Sequence, residues 1–372
     1  MSVRSTIRAY VQHPSLRSVG LYTFTNFFSK GASFLLLFVF TNPIYITPAE
    51  NGLLSLFSNS LLFLMPFLSM GIVHSVSADY FKLDKASFRD FFTTSFLIPV
   101  LVMLLAIIGI ALAQPWLNRT YGFPWYFSIL IPLITFLIFC NEQLLSMARN
   151  RQEPQVYLKA NVSKTIIELG LSFVLVVFFA WRWQGRVAGI LAAYAVLGIY
   201  AFYYFRQQGY LFGKIRQQYL KSELLYALPI IALQACIFTQ TASDKFFLSA
   251  YTNDNNTTVG IYSIACIFAS VLNVLSTGLQ QYIFPGIYQA IATQTLTRSY
   301  FKKQWLMYAG IMTAALLVWL MLVPVIFLNF IHIKYKPALR YSFLLGIGVY
   351  CWAMAYFFYS FLLYHKEKRK LL

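Results

Sequence analysis

The stretch FRDFFTTSFLIPVLVMLLAIIGIALA, residues 88–113, carries charges only near its start, at Arg89 and Asp90, and is apolar from Phe96 onwards. A helix that crosses the hydrocarbon core of a bilayer needs about 20 mostly apolar residues. In hydrocarbon, every backbone N–H and C=O group must be paired within its own segment or in a closed barrel. This run is too long and too uniformly apolar for a barrel strand, in which apolar and polar residues alternate. It therefore predicts a transmembrane helix.

Apolar runs of this kind recur along almost the whole chain. Hydrophobic residues make up 59% of the sequence and charged residues only 11%, whereas charged residues are about a quarter of a soluble domain. We predict an all-α polytopic membrane protein of about ten transmembrane helices. The expected spans, with boundaries good to roughly four residues, are 18–42, 51–78, 88–113, 123–147, 161–181, 187–205, 223–250, 256–283, 304–330 and 339–364.

The formal net charge is +18, and the 29 Lys and Arg residues are unevenly distributed between alternate loops. Most of them fall in the two termini and in the loops after even-numbered spans. By the positive-inside rule both termini are then cytoplasmic, as an even number of spans requires. The charge is a topology signal, and we expect no nucleic-acid partner. The few loop cations expected on the other side are Arg119, Arg182, Arg186, Lys334, Lys336 and Arg340.

The chain is expected to form two lobes. Residues 1–205 hold spans 1–6, the basic stretch RQQGYLFGKIRQQYLKS at 206–222 is a cytoplasmic linker, and residues 223–372 hold spans 7–10. The linker is either a plain connector or an amphipathic helix on the inner leaflet. A faint repeat, with glycines at 52 and 71 and again at 260 and 278, suggests parallel repeats unless it arises by chance.

Charged residues at membrane depth cost at least about 2.5 kcal/mol on insertion scales, so each one needs a reason. Lys30 lies midway along the first predicted span, and Asn26 stands one turn away on the same face. Together they offer an anion a charge and a hydrogen bond inside a water-filled cavity. The alternative is a lysine satisfied by backbone carbonyls or by a neighbouring acid.

Polar residues of other spans are further candidates for lining a cavity. Gln240 and Asp244 share one stripe of the seventh predicted span and Lys245 lies on a neighbouring stripe. Interfacial anchoring is the alternative for Asp244 and Lys245. Hydrogen bonding between helices is the alternative for the polar residues of spans 2 and 8. These residues are Asn59, Asn273 and Thr277.

Three ionisable side chains, Asp244, Glu142 and His74, are candidates for coupling transport to an ion, although a single histidine near the end of a span also serves structural roles. We find no nucleotide-binding loop, no metalloprotease or nucleophile motif and no Cys/His cluster. We therefore expect no enzyme activity, no cofactor and no metal. The cysteines have no paired spacing and are interpreted as packing residues; they are Cys140, Cys236, Cys266 and Cys351.

Several segments resemble polysaccharide (O-antigen-type) flippases of the multidrug/oligosaccharidyl-lipid/polysaccharide exporter superfamily. They are LYTFTNFFSKGASFLLLFVF (21–40), AENGLLSLFSNSL (49–61), FLSMGI (67–72), MARNRQEPQVYLKANVSKTIIELG (147–170), ALPIIALQACIFTQTASDKFFLSAY (227–251) and VGIYSIA (259–265). Only the Asp244–Lys245 pair and the run from Gly260 to Ser263 are specific. The resemblance covers essentially the whole chain.

The resemblance implies two six-helix lobes around a central cavity open alternately to either side of a bacterial inner membrane. The implied cargo is an isoprenoid-pyrophosphate-linked oligosaccharide, flipped to the periplasmic leaflet during synthesis of a surface polysaccharide such as the O-antigen of lipopolysaccharide. The implied partners are this substrate, membrane lipids and other assembly proteins. Lys30 matches a basic position that relatives can carry in the first helix.

Two features depart from the family pattern. Ala78 and Asp79 stand before Tyr80 and Phe81 where relatives often have a basic residue. The sequence also ends after span 10, so the second lobe is expected to lack its last two helices, or a partner closes it. A drug exporter of the same superfamily and a non-transporting assembly partner are the alternative functions.

Overall fold

The computed structural model describes residue 28 and residues 31–34, 36–252 and 254–364, and this part of the chain is helical with no strand. By its contacts the chain divides into two compact units, Met1–Val259 and Gly260–Leu372. The helices up to the unit boundary are α1 (Gly31–Phe40), α2 (Pro48–Ser69), α3 (Ile72–Asp79), α4 (Lys85–Tyr121), α5 (Trp125–Asn150), α6 (Pro154–Phe173, continued by a π-helical turn at Val174–Phe178), α7 (Arg182–Gln207), α8 (Gln217–Thr241) and α9 (Asp244–Tyr251).

The remaining helices are α10 (Thr257–Ala292), whose first turn lies in the first unit, α11 (Arg298–Asn329) and α12 (Ala338–Tyr364). In the second unit α11 packs against α12 and both pack against α10. Their common core contains Ile283, Tyr308, Met312 and Phe357. The Trp319 indole N–H donates to the carbonyl of Phe268 at 3.1 Å and ties α11 to α10.

Nine helices of the described residues are long and apolar enough to cross a bilayer. They correspond to nine of the ten predicted spans, and α1 lies in the first predicted span, most of which falls outside the described residues. Prolines occur inside the helices, as expected for membrane spans: Pro66, Pro99, Pro132, Pro229 and Pro324. The chain is a multi-pass helical membrane protein, and the predicted fold class is confirmed.

The second predicted span, 51–78, is wrong as a continuous helix, because the chain breaks between α2 and α3. Met70 and Gly71 both have positive φ angles, 45° and 72°. The Met70 N–H still donates to the Pro66 carbonyl, so α2 ends in a left-handed cap. Glycine is favoured at position 71 by the backbone angle, and its missing side chain leaves room for the Ile230 side chain of α8, whose Cδ1 would lie 2.6 Å from an added Cβ atom.

Helix α4 extends well beyond the predicted span 88–113. It has 37 residues and a length of about 55 Å, against a hydrocarbon thickness of about 30 Å. The Asp84 side chain accepts hydrogen bonds from the N–H groups of Ala86 and Ser87 at its start, and Gly122, at φ 72°, ends it. The last residues of α4, beyond the length needed to cross the hydrocarbon, are mostly polar. We therefore expect the last turns of α4 to lie outside the hydrocarbon.

The first unit has two distinguishable ends. One end, the basic end, holds residues 79–84, 151–153 and 208–216, which are joined by hydrogen bonds to each other or to the adjacent helix ends. The other, the opposite end, holds residues 41–47, 122–124, 179–181, 252 and 254–256, where Glu50 pairs with Arg182 at 3.2 Å and Asn256 bonds to Tyr121. This grouping agrees with the alternation of loops on which the predicted topology rests.

Helices α8 and α9, which the sequence predicts to open the second lobe, lie in the first compact unit. There α8 contacts α2, α3 and α4, and α9 contacts α2 and α4. The compact units are defined by contacts within one conformation, whereas lobes are the bodies that move during transport. The predicted lobe boundary at residues 206–222 therefore stays a prediction.

Candidate functional site

The seventh predicted span, 223–250, is also wrong as one continuous helix. Helix α8 ends at Thr241 and α9 begins at Asp244, with Ala242 at φ −144° between them. The threonine and serine hydroxyl groups around the break each donate to the carbonyl four residues earlier. These bonds compete with the backbone hydrogen bonds of the helix and so weaken it. These bonds join Thr239 to Ala235, Thr241 to Ile237 and Ser243 to Thr239.

Asn59 stabilises this break. Its Nδ2 donates a hydrogen bond of 3.1 Å to the carbonyl of Ala242, which the interrupted helix leaves without its usual partner, and both residues are buried. A buried hydrogen bond contributes about 1 kcal/mol net, and an unsatisfied buried carbonyl costs about 1–3 kcal/mol. The interhelical hydrogen bond that the sequence left as the alternative for Asn59 is therefore present.

The break changes the geometry expected for Asp244 and Lys245. They open α9 in its first turn, so Gln240 and Asp244 do not share the stripe of an unbroken helix. Gln240 and Asp244 are exposed and Lys245 is half-buried. The Asp244 carboxylate accepts a hydrogen bond from the Lys245 backbone N–H at 2.8 Å, as acidic residues do at helix N-termini.

In the second unit, Asn273 and Thr277 on α10 are exposed on the surface of that unit. A buried polar cluster lies beside them on the same helix, around Gln280. Gln280 Nε2 donates to Ser276 Oγ at 2.9 Å and to the Tyr308 hydroxyl at 3.1 Å. The Tyr308 hydroxyl also bonds to the Ala353 carbonyl at 3.1 Å, so this cluster ties α10, α11 and α12 together.

The remaining predicted residues lie apart from this region or outside the described part. Lys30 and Asn26 fall outside the described residues, so their cavity role stays a prediction. His74, on α3, is exposed near the basic end. Glu142, on α5, is half-buried and interacts electrostatically with the Tyr194 hydroxyl on α7.

The largest charged group at membrane depth in the described residues joins α6 to α7. Arg186 Nη2 lies 2.7 Å from Glu168 Oε1, and Lys164 Nζ lies 3.5 Å from Glu168 Oε2. Lys164 also stands 4.8 Å from the centre of the Tyr194 ring, and Arg186 donates to Ser172 Oγ at 3.1 Å. We call these five side chains the α6–α7 charge network; two cations in it share one carboxylate.

Lys164 and Glu168 are spaced i,i+4 at the start of the fifth predicted span, 161–181, and this pattern is typical of a local ion pair near the membrane interface. Helix α6 begins at Pro154 instead, so Lys164 lies about 15 Å along its axis. Proline is favoured in the first helical turn, because its missing N–H has no helical partner there. Arg186, which the sequence assigned to a loop, is the second cation because α7 begins at Arg182.

The predicted linker is neither a free connector nor a continuous helix, because residues 208–216 are hydrogen-bonded to the start of α4. Asp90 accepts hydrogen bonds from the Lys214 N–H and from the Arg216 guanidinium, each at 2.8 Å. Thr93 Oγ1 accepts from the Gly213 N–H at 2.9 Å. A Cβ atom at Gly213 would lie 2.6 Å from the Arg89 carbonyl, so only glycine fits this contact. We call these contacts the linker clasp.

The clasp continues to the end of α7. Arg151 donates to the Tyr210 hydroxyl at 3.2 Å and pairs with Glu153, which accepts from the Tyr204 hydroxyl at 2.8 Å. Burial raises the pKa of Tyr210, so its hydroxyl stays neutral at physiological pH. Nearby, the buried Glu223 on α8 accepts a hydrogen bond of 2.6 Å from Ser75 on α3, another polar contact that the sequence did not predict.

Comparison with known proteins decides the family. Residues 15–291 match the family described as "Polysaccharide biosynthesis protein". The chain belongs to this family. No curated protein matches it at a significant level.

Solved structures place the fold of this polysaccharide biosynthesis protein. A multidrug resistance MATE family transporter of the MOP superfamily, inward-facing, is 15% identical, with a TM-score of 0.64 over 86% of this chain and 80% of its own. A MATE structure in the straight conformation is also 15% identical, with a TM-score of 0.55 over 92% and 82%. An outward-facing MATE family transporter reaches 0.50 at 15% identity over 96% and 98%. The predicted membership of a polysaccharide-synthesis family is confirmed, and the fold is similar to that of these MATE structures.

Proposed function

We propose that this protein flips an isoprenoid-pyrophosphate-linked oligosaccharide from the cytoplasmic to the periplasmic leaflet during synthesis of a surface polysaccharide, by alternating access. The observation that carries the proposal is membership of the polysaccharide biosynthesis protein family over residues 15–291, on a MATE-like fold. The family acts in polysaccharide synthesis, and the fold is that of transporters. The cargo we propose is therefore a lipid-linked intermediate of that synthesis.

Charge supports an anionic cargo. In the α6–α7 charge network Lys164 and Arg186 share the single carboxylate of Glu168. Arginine and lysine are the side chains that proteins use to bind phosphate groups. We propose that Lys30 and Asn26 contact the pyrophosphate in the cavity, with Gln240, Asp244, Lys245, Asn273 and Thr277 as the polar lining, and that Asp244, Glu142 or His74 couples the movement to an ion. Asn59, predicted as lining, is instead buried and bonded to the Ala242 carbonyl.

We propose that both termini, together with the basic end, face the cytoplasm of a bacterium and that the protein lies in the inner membrane. Basic loops stay on the cytoplasmic side because positive charge resists translocation. The linker clasp is rich in such charge at Arg151, Lys214 and Arg216. The partners of this proposal are the lipid-linked substrate, membrane lipids and other proteins of polysaccharide assembly.

A drug exporter is the second candidate, because the multidrug resistance MATE transporter shares the fold at a TM-score of 0.64. The two functions differ in the charge of the cargo. A cationic drug needs acidic residues that are not already neutralised, and the carboxylate of the α6–α7 charge network, Glu168, is already shared by two cations.

Reconstituted proteoliposomes separate the two functions. A fluorescent isoprenoid-pyrophosphate oligosaccharide is scored by its accessibility to an external lectin, and a cationic dye is scored by efflux from the same vesicles. We expect protein-dependent lectin accessibility and no dye efflux above that of empty vesicles. Dye efflux without flipping would assign the protein to the drug exporters.

A further inference from the structure

A cavity of about 600 Å³ opens at the opposite end of the first unit, between the last turns of α4 and the segment after α9. Pockets that bind small molecules have volumes of about 300–1,000 Å³, so this cavity has room for one or two sugar rings. Its lining includes Trp116, Asn118, Arg119, Tyr121, Asn255 and Asn256. None of these residues was singled out by the sequence as a binding residue.

One buried side chain fixes the wall of the cavity. Asn256 Oδ1 accepts a hydrogen bond of 2.5 Å from Ser249 Oγ, and its Nδ2 donates to the Tyr121 carbonyl at 3.0 Å. Asn256 has a positive φ of 66°, a backbone region that asparagine tolerates better than most residues. A Cβ atom at Gly52 would lie 2.0 Å from the Asn256 carbonyl oxygen, so α2 supports the same wall. The cavity is therefore held by three separate elements.

The lining combines aromatic faces with hydrogen-bonding side chains. Trp116 and Tyr121 meet edge to face with ring centres 5.5 Å apart, and Trp116 is 57% exposed. Arg119 is exposed, and Asn118 and Asn255 also line the cavity. Aromatic rings offer an apolar face for the C–H groups of a sugar, while amides and a guanidinium satisfy its hydroxyls or a carboxylate. A lipid tail would leave these polar groups unpaired.

The position of the cavity also favours a sugar over a lipid tail. It is built on the end of α4, whose length of about 55 Å exceeds the hydrocarbon thickness of about 30 Å. The opposite end is the side to which the glycan would be delivered in the proposed orientation. A binding site there meets the glycan only after it has crossed the bilayer.

We propose that this cavity is a glycan-binding site on the exit side, where the exposed Trp116 stacks on a pyranose ring of the transported oligosaccharide, Tyr121 packs edge to face against Trp116, and Arg119 binds hydroxyl or carboxylate groups of the sugar. The inference rests on the proposed function for the identity of the glycan. The site retains the sugar headgroup at the outer surface and so disfavours its return across the membrane.

Saccharide binding to the full chain in lipid nanodiscs tests this site without any transport step. The probes are the methyl pyranosides of glucose, N-acetylglucosamine and glucuronic acid, followed at millimolar concentration by saturation-transfer difference NMR. The variants are Trp116→Ala and Arg119→Gln. Matched controls are Trp125→Ala, which removes an exposed tryptophan of the opposite end outside the cavity lining, and Lys334→Ala, which removes an exposed cation of the second unit.

We expect at least one probe to bind, binding to weaken about tenfold in each cavity variant, and both controls to bind as the unchanged protein does. A larger loss for the glucuronide than for the glucoside in Arg119→Gln would identify an acidic sugar as the preferred ligand. Absence of binding by all three probes, or equal binding by all variants, would overturn the inference. Flipping in proteoliposomes is scored separately, so sugar binding without flipping would count against the proposed function and leave the site standing.

Discussion

At the scale of single residues, buried polar side chains hold the membrane helices together through named partners. Asn59 satisfies the Ala242 carbonyl at the helix break, and Glu168 balances Lys164 and Arg186 inside the α6–α7 charge network. Sequence alone indicates that Asn59, Lys164 and Glu168 need partners, because each lies in a predicted span, whereas it assigns Arg186 to a loop. It could not show that the partner of Asn59 is a backbone carbonyl 183 positions away.

Replacing Asn59 by alanine should destabilise the protein by about 1–3 kcal/mol, because the Ala242 carbonyl loses its donor in a buried place. Unfolding by denaturant in mixed micelles measures the loss. Ser58→Ala is the matched control, since Ser58 is exposed and bonds only within its own helix. Equal stability of Asn59→Ala and Ser58→Ala would show that the contact does not support the break.

Replacing Glu168 by glutamine should cost about 3 kcal/mol, because two cations are then left without a counter-charge at low dielectric. Lys164→Gln should cost less, since the Arg186–Glu168 pair at 2.7 Å survives. The same unfolding measurement ranks the two variants. A greater loss for Lys164→Gln would mean that Arg186 does not compensate Glu168 as the geometry indicates.

At the scale of elements, the sequence located the helices well and their interruptions poorly. Apolar runs place a helix in each predicted span, since hydrocarbon allows little else. The break at Met70–Gly71 has a readable signal in Gly71, but the break at Ala242 has neither glycine nor proline and depends on packing against α2. The linker shows the same limit, because its clasp requires Asp90, a residue more than a hundred positions earlier.

Replacing Asp90 by asparagine should open the linker clasp, because the Arg216 guanidinium loses the carboxylate that holds it. Limited trypsin digestion measures this, since Lys214 and Arg216 are cleavage sites within the clasp. We expect cleavage there to become several-fold faster. Asp79→Asn, which removes only an exposed pair with Lys82, should digest at the original rate. Faster cleavage in both variants would point to general loosening of the basic end.

At the scale of the whole molecule, composition predicted a multi-pass helical membrane protein, and the nine apolar helices of the described residues and the fold bear this out. The candidate cavity was less predictable. Its proposed cation, Lys30, lies outside the described residues, and the cavity at the opposite end uses residues from separate loops whose proximity no local pattern encodes. Orientation in the membrane follows from loop charge alone and is directly testable.

Cysteines introduced at opposite ends should react from opposite sides of the membrane. In a variant whose native cysteines are replaced, Asn255→Cys should be labelled by a membrane-impermeant maleimide on intact cells with a permeabilised outer membrane. Lys82→Cys should be labelled only after the inner membrane is opened. The reverse pattern would invert the proposed topology, and labelling of both from outside would contradict the assignment of alternate loops.

The central claim is that the chain moves a lipid-linked oligosaccharide with the help of a cation in its first span. The most direct test is the initial rate of flipping in proteoliposomes, for the unchanged protein, for Lys30→Ala and for Lys302→Ala, which removes an exposed cation from the start of α11. We predict lectin-accessible substrate with the unchanged protein and with Lys302→Ala, and at least a tenfold lower rate with Lys30→Ala. No flipping by the folded, unchanged protein would contradict the function, and an unaffected rate in Lys30→Ala would contradict the role of that lysine.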